Sequence, residues 1–206
     1  GKILVCATSN IATVNLYTRA KNQGIYGSLV ISNEKYYKAS KKEKDSWKPK
    51  EDNIIFTTVS MRSGLLLRNL KFKTILMDEA SQCQEGWFWG LLREEVRYIY
   101  LSGDPKQLPA LVSEDGNKLN HSRSLMERLM DMDYDSELLD TQRRMHPSIC
   151  EFSNINFYEG LLKTDYKASK NNNIAPIEAI NVNGKECRIG TSFKNDCMPI
   201  SKALYC

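Results

Sequence analysis

Nowhere in these 206 residues does G-x-x-x-x-G-K-[ST] occur. The chain therefore carries no loop of backbone amides and lysine with which to cradle a nucleotide's phosphates. No apolar run approaches the roughly 18 residues a membrane-spanning helix needs. No secretory segment opens the chain, so no membrane association is expected. None of the six cysteines forms a C-x-x-C pair, and neither His121 nor His146 lies at a metal-ligand spacing from them. That pattern excludes the usual zinc frameworks. Cysteines scattered in this way fit a reducing compartment, so an intracellular location is expected, with cytoplasm and nucleus undistinguished. The net charge is only +4, too slight to mark a nucleic-acid binder by composition.

What is present is an ordinary globular composition, 41% hydrophobic and 26% charged. Short apolar runs at 3–7, 54–58, 72–77 and 98–101 are each followed by a polar turn and, for the first three, by a helix-like stretch (10–21, 65–70, 87–92). Continuous apolar strands alternating with helices predict an α/β fold built on a parallel, doubly wound sheet. The first run reads as a core strand already under way, so a piece of a longer protein is expected. The lysine-rich stretch 33–53, which contains Pro49, reads as a solvated loop or insertion. A second polar stretch at 113–122 sets the expected division into lobes, 1–115 and 119–206. Ser124-Leu125-Met126-Glu127 reads as a capping box, opening a helix with Leu125, Leu129 and Met130 on one face. Beyond it, 137–139 reads as strand-like, 171–173 as a loop and 177–182 as a strand.

Three ordered segments carry chemistry. Asp78-Glu79-Ala80-Ser81-Gln82 ends one apolar run, where a parallel sheet presents ligands beyond its strands' carboxyl ends. Asp78 there can hold Mg²⁺ through its waters while Glu79 orients an attacking water; an acidic first helical turn is the plainer alternative. Gly103-Asp104-Pro105-Lys106-Gln107-Leu108-Pro109 ends the next run. A plain tight turn needs no glutamine at Gln107, whose amide suits reading a terminal phosphate and shifting when it leaves. Gln142-Arg143-Arg144-Met145-His146-Pro147 supplies an arginine fork, Arg144, suited to the same phosphate. His146 reads as a structural hydrogen-bonding residue.

Thr8-Ser9-Asn10 and Thr57, Thr58 and Ser60 follow strands with hydroxyls that suit phosphate backbones, or that simply cap helices. Trp87, Phe88 and Trp89 are expected in the core or a lobe interface, with base stacking as the alternative.

With these residues in view, the chain resembles the superfamily 1 helicases of the up-frameshift and senataxin type. The segment from Ile3 through Ala12 is similar to their motif Ia, Ile55 to Ser60 to motif Ic, Asp78 to Gln82 to motif II, and Gly103 to Pro109 to motif III. Leu138 to Pro147, continuing to Gly160, is similar to the motif IV region. Beyond Thr164 the likeness is loose.

The resemblance implies a P-loop NTPase fold of two RecA-like parallel-sheet lobes, both incomplete here. It implies ATP and Mg²⁺ as cofactors, single-stranded RNA or DNA as partner, and movement mostly 5′ to 3′. Carried over residue by residue, Asp78 serves Mg²⁺, and Glu79, Gln107 and Arg144 are catalytic. Gln82, Asp104, Gln142 and Arg143 join them around the nucleotide. Thr8, Ser9, Asn10, Thr57, Thr58 and Ser60 face nucleic acid. The chain departs from the family at Thr8 (usually Pro), at Thr13-Val14 (usually Val-Asp), and at Arg143, where Tyr or Phe usually packs near the adenine. Lacking the phosphate loop, these 206 residues alone are not expected to turn over ATP. The alternative is a catalytically inactive helicase-like module that binds nucleic acid or protein, although such a module has no physical need of Glu79.

Overall fold

The strand β1 (Lys2–Ala7) is the middle of a five-stranded sheet in a computed structural model that describes residues 1–31, 51–64, 66–165, 176–177, 186–189 and 192–195. Its neighbours are β2 (Ser28–Val30), β3 (Ile54–Thr58), β4 (Phe72–Met77) and β5 (Tyr98–Leu101). The order is β2-β3-β1-β4-β5, and every pairing is parallel. Most of the lysine-rich stretch, the 171–173 loop and 178–182 lie outside the described residues.

Parallel neighbours need a crossover over one sheet face, and α1 (Asn10–Asn22) provides the first, running from β1 to β2. The Ser9 side chain caps it by accepting the Ala12 N–H, and Arg19 and Lys21 suit the negative end of its dipole. Thr13 is buried against the sheet, and Tyr17 meets Phe56 edge to face at 5.5 Å. Leu4, Ile55, Phe72, Ile75 and Met77 form the centre of the core, which Phe88, Leu91 and Leu125 close.

β5 departs from the expected burial. Tyr98, Ile99 and Tyr100 are all exposed, so this edge strand is apolar yet open to solvent.

A 3₁₀ turn, Val59–Ser63, carries Arg62 into the core with 1% of its surface exposed. Its guanidinium donates to the carbonyls of Leu67 (2.7 Å) and Leu70 (3.1 Å) and lies 4.9 Å from the Phe72 ring centre. Burial, with Arg93 adding, pulls its pKa below the ordinary arginine value, against the pull of Glu95. The expected helix at 65–70 is replaced, over 66–69, by turns held in this way. Burial also pushes the Cys6 thiol up to about 12, with Cys83 adding to the effect, and pushes Cys83 up to about 11. Both thiols stay protonated at neutral pH and are poor nucleophiles.

After β4 the chain forms a short 3₁₀ turn (Ala80–Gln82) and α2 (Glu85–Trp89). Only Phe88 of the three aromatics there enters the core. Trp87 is 55% and Trp89 48% exposed, the latter with its indole N–H on Glu85, which also pairs with Arg128. The core expectation is thus corrected for both tryptophans, because a helix this short offers one inward position. Then come α3 (Glu114–Lys118) and α4 (Leu125–Asp131). Ser124 caps α4 through the Glu127 N–H at 3.0 Å, as the capping box requires. Leu125 is buried and Leu129 packs on the core, but Met126 takes the place expected of Met130, which is exposed.

The chain divides into compact units at 1–137 and 138–206. Helix α4 therefore belongs with the first unit, since its Leu125 sits in that unit's core. In the second unit β6 (Thr141–Gln142) pairs in parallel with β7 (Lys163–Thr164), and α5 (Pro147–Phe157) connects them. The strand-like 137–139 does not form a strand, and Leu138 and Leu139 are exposed. β8 (Glu186–Ile189) and β9 (Ser192–Asn195) make an antiparallel pair.

Candidate nucleotide and nucleic-acid site

Register decides where the functional segments emerge. Ala7 lies beside Thr58, Cys6 beside Met77, and Met77 beside Leu101. The residues that follow, Thr8, Val59, Asp78 and Ser102, therefore leave the sheet along one edge, at the carboxyl ends of four parallel strands. Motifs far apart in sequence are neighbours there.

Asp78 is half-buried, and its N–H bonds to the Cys6 carbonyl at 2.9 Å. Its carboxylate has no hydrogen bond or ion pair among the described residues. A half-buried charge left uncompensated is costly, and a hydrated divalent cation is the partner that fits it. Glu79 stands in the left-handed region, with φ 53° and ψ 42°. A non-glycine residue there costs about 1–3 kcal/mol unless its surroundings impose it, and such residues gather at functional sites. The surroundings here do impose it. The next residue's N–H bonds across to the Ser102 carbonyl at 2.8 Å, and the Gln82 amide donates to the Glu79 carboxylate at 3.0 Å. Gln82, expected beside the nucleotide, is placed to aim Glu79.

The second motif is pressed against the first. A Cβ on Gly103 would come within 2.9 Å of the main-chain nitrogens of both Ala80 and Ser81. Buried Ser81, which the sequence reading did not single out, accepts the Asp104 N–H on its hydroxyl at 3.3 Å. Asp104 in turn accepts the Lys106 N–H at 3.0 Å and the Gln107 side-chain amide at 2.8 Å. Gln107 is exposed and rests on Asp104. These contacts run unbroken from the acidic segment to the glutamine. Ser81, Gln107, Asn120, Arg123 and Glu127 also line a polar cavity of about 280 Å³ within this unit.

The hydroxyl residues separate into two groups. Thr8 and Ser9 are exposed and Asn10 half-buried at the start of α1. Thr57 is fully buried and donates to the Val30 carbonyl at 2.8 Å, so it cannot face nucleic acid. Thr58 is only 4% exposed, and its hydroxyl meets that of exposed Ser60 at 3.1 Å. β3 is flanked by strands on both sides, which draws its last residues inward. Ser60 and Ser63 are the exposed hydroxyls of the turn that follows.

In the second unit, Gln142 is half-buried at the end of β6, and its side chain is wholly engaged with the turn that follows and with Thr164. Arg143 pairs with Asp165 at 3.0 Å. Arg144 is exposed, with no side-chain partner among the described residues. His146 caps α5, its Nδ1 accepting the Ser148 N–H at 3.2 Å, as a structural histidine should. Pro147 stands at the first helical position, where its missing N–H costs nothing.

Two family models, each described as an AAA domain, match residues 28–115 and 121–197. A probable helicase of Arabidopsis thaliana, MAGATAMA 3, is 38% identical over 55% of this chain and 14% of its own length. A regulator of nonsense transcripts 1 homolog of the same plant is 33% identical over 66% of this chain and 11% of its own. Helicase SEN1 of Saccharomyces cerevisiae is 39% identical over 54% of this chain and 5% of its own. The chain thus spans between about a twentieth and a seventh of these relatives. Among solved structures, Arterivirus nonstructural protein 10 (helicase) with DNA matches with a TM-score of 0.52 at 14% identity. It covers 82% of this chain and 36% of that one. At that identity the likeness shows the fold, a RecA-like parallel α/β architecture.

Proposed function

From a chain that belongs to the superfamily 1 helicases of the up-frameshift and senataxin type, we propose a part of an ATP-dependent helicase or translocase acting on single-stranded RNA or DNA. The observation that carries this reading is the shared sheet edge, where Asp78, Glu79 and the Gln107 turn emerge beside the Ser9 and Ser60 hydroxyls. The family resemblance supports movement mostly 5′ to 3′, and the scattered cysteines fit an intracellular setting. No helix among the described residues is long and apolar enough to cross a membrane.

In this reading Asp78 would hold Mg²⁺. The Mg²⁺-bound nucleotide, when present, supplies the phosphoryl group whose charge the surrounding side chains stabilise. Glu79, aimed by Gln82, orients a water on the γ-phosphate and draws off its proton as attack proceeds. Gln107 leaves Asp104 to meet the γ-phosphate and returns when phosphate departs, so the state of the nucleotide reaches the acidic segment through Ser81. Arg144 stabilises the charge that develops on the transferring group. Arg143 takes the place beside the base that the family gives to an aromatic residue. Its guanidinium plane must leave Asp165 to stack there. Thr8, Ser9, Asn10 and Ser60 hold backbone phosphates, which carry no sequence information.

Replacing Ser9 and Ser60 together by Ala in the full-length protein should weaken single-strand binding about equally for all sequences. Strand-independent ATPase should be nearly unchanged, since neither side chain faces the nucleotide. Fluorescence anisotropy at several salt concentrations reads the loss, which should accompany a slope of log affinity against log salt typical of phosphate contacts. Unchanged affinity would place the strand elsewhere and leave Ser9 a plain helix cap.

A further inference from the structure

We propose that Gln142 is a positioning residue that fixes the backbone from which Arg144 projects, and is not a nucleotide contact. A side-chain amide offers two N–H donors and a carbonyl with two lone pairs. In Gln142 all four are used. Nε2 donates to the Met145 carbonyl at 2.8 Å and to Thr164 Oγ1 at 2.9 Å. Oε1 accepts the N–H groups of Arg144 at 2.9 Å and of Met145 at 2.8 Å. The partners themselves fix which end is oxygen, because a backbone N–H only donates and a carbonyl only accepts. No capacity remains for a base or a phosphate.

The engagement is tied to the strand pair. Gln142 lies beside Thr164 in the parallel register, and the Asp165 N–H bonds back to the Gln142 carbonyl at 2.9 Å. Asp165 also holds Arg143. From the other side the His146 cap pins the start of α5. The turn between them is therefore fixed at both ends, and of its two exposed arginines Arg143 is paired with Asp165 while Arg144 has no side-chain partner among the described residues. An arginine that serves a terminal phosphate must be held close to its working geometry, and a misplacement of about 1 Å costs on the order of 100-fold in rate. Gln142 supplies that hold, and Thr164 braces Gln142.

The inference rests on the reading of Arg144 as the γ-phosphate arginine, so both are tested together in the full-length protein. Steady-state ATP hydrolysis is measured for Gln142→Met, Thr164→Val, Arg144→Ala and the Gln142→Met/Arg144→Ala pair, with thermal unfolding as the folding check. Gln142→Met should lower kcat about 10- to 100-fold with little change in KM for ATP. In the Arg144→Ala background it should lower kcat no further, since positioning is worthless without the positioned group. Thr164→Val removes one of the four bonds and should act in the same direction more weakly. Should Gln142→Met fail to fold, the same kcat-against-KM split in Thr164→Val decides. A raised KM at parental kcat would make Gln142 a nucleotide contact and overturn the proposal, as would a further loss in the Arg144→Ala background. An inactive Arg144→Ala beside a fully active Gln142→Met overturns the positioning role alone. Parental kcat in Arg144→Ala removes the reading of Arg144 and the proposal with it.

Discussion

The Glu79→Gln variant of the full-length protein should hydrolyse ATP about 10²- to 10⁴-fold more slowly than its parent while binding nucleotide as tightly. The substitution keeps the side chain's length and shape, and nothing in it demands a different backbone. Of the two contacts that hold the left-handed conformation at this position, the bond from Ala80 to Ser102 does not involve the carboxylate, and the amide oxygen of the substituted side chain can still accept from Gln82. What is lost is the capacity to take a proton from water. Asp78, the proposed Mg²⁺ residue, is untouched, so nucleotide affinity should survive. Gln82→Ala should cost less, because it removes only the 3.0 Å bond that aims the carboxylate. Phosphate release under steady-state conditions and titration with a fluorescent nucleotide analogue measure the two quantities separately. Equal turnover in variant and parent would remove Glu79 from the chemistry.

Arg62→Leu should lower stability by about 2–4 kcal/mol. The leucine fills part of the volume but leaves the Leu70 carbonyl without its donor and the Leu67 carbonyl with only the Leu70 N–H. An acceptor left unpaired costs about 1–3 kcal/mol, the Leu67 carbonyl loses one of its two partners, and the contact with the Phe72 ring goes too. Against this stands relief from burying a charge, which keeps the total below the simple sum. Urea unfolding of the chain should show a lower midpoint at an unchanged slope. A midpoint equal to the parent's would mean that packing and the backbone bonds hold the 66–70 turns without Arg62.

Much of this arrangement was legible in the sequence because parallel strands announce themselves as short apolar runs. β1, β3, β4 and β5 all lie where those runs lie, and the Ser9 and Ser124 caps sit at the expected helix starts. What stayed hidden depends on contacts between distant segments. Ser28–Val30 is too short to show a period, yet it becomes a strand because β3 lies beside it. Thr57 and Thr58 look like surface hydroxyls in a linear reading. Their burial follows from β3 having a neighbour on each side, which no local pattern encodes. The two-residue β6 exists only through its pairing with β7, while the more apolar Leu138 and Leu139 before it find no partner strand. The role of Ser81 was similarly hidden, and Gln142 was expected around the nucleotide instead. Their importance lies in side-chain bonds to Asp104 and Thr164, each more than twenty positions away.

The most direct measurement is phosphate release from Mg²⁺-bound ATP by the full-length protein, titrated with a single-stranded oligonucleotide. The account predicts turnover that rises with the strand and saturates, because the residues proposed for strand and for nucleotide leave the sheet along one edge. Turnover indifferent to the strand, or no turnover at all, would contradict it.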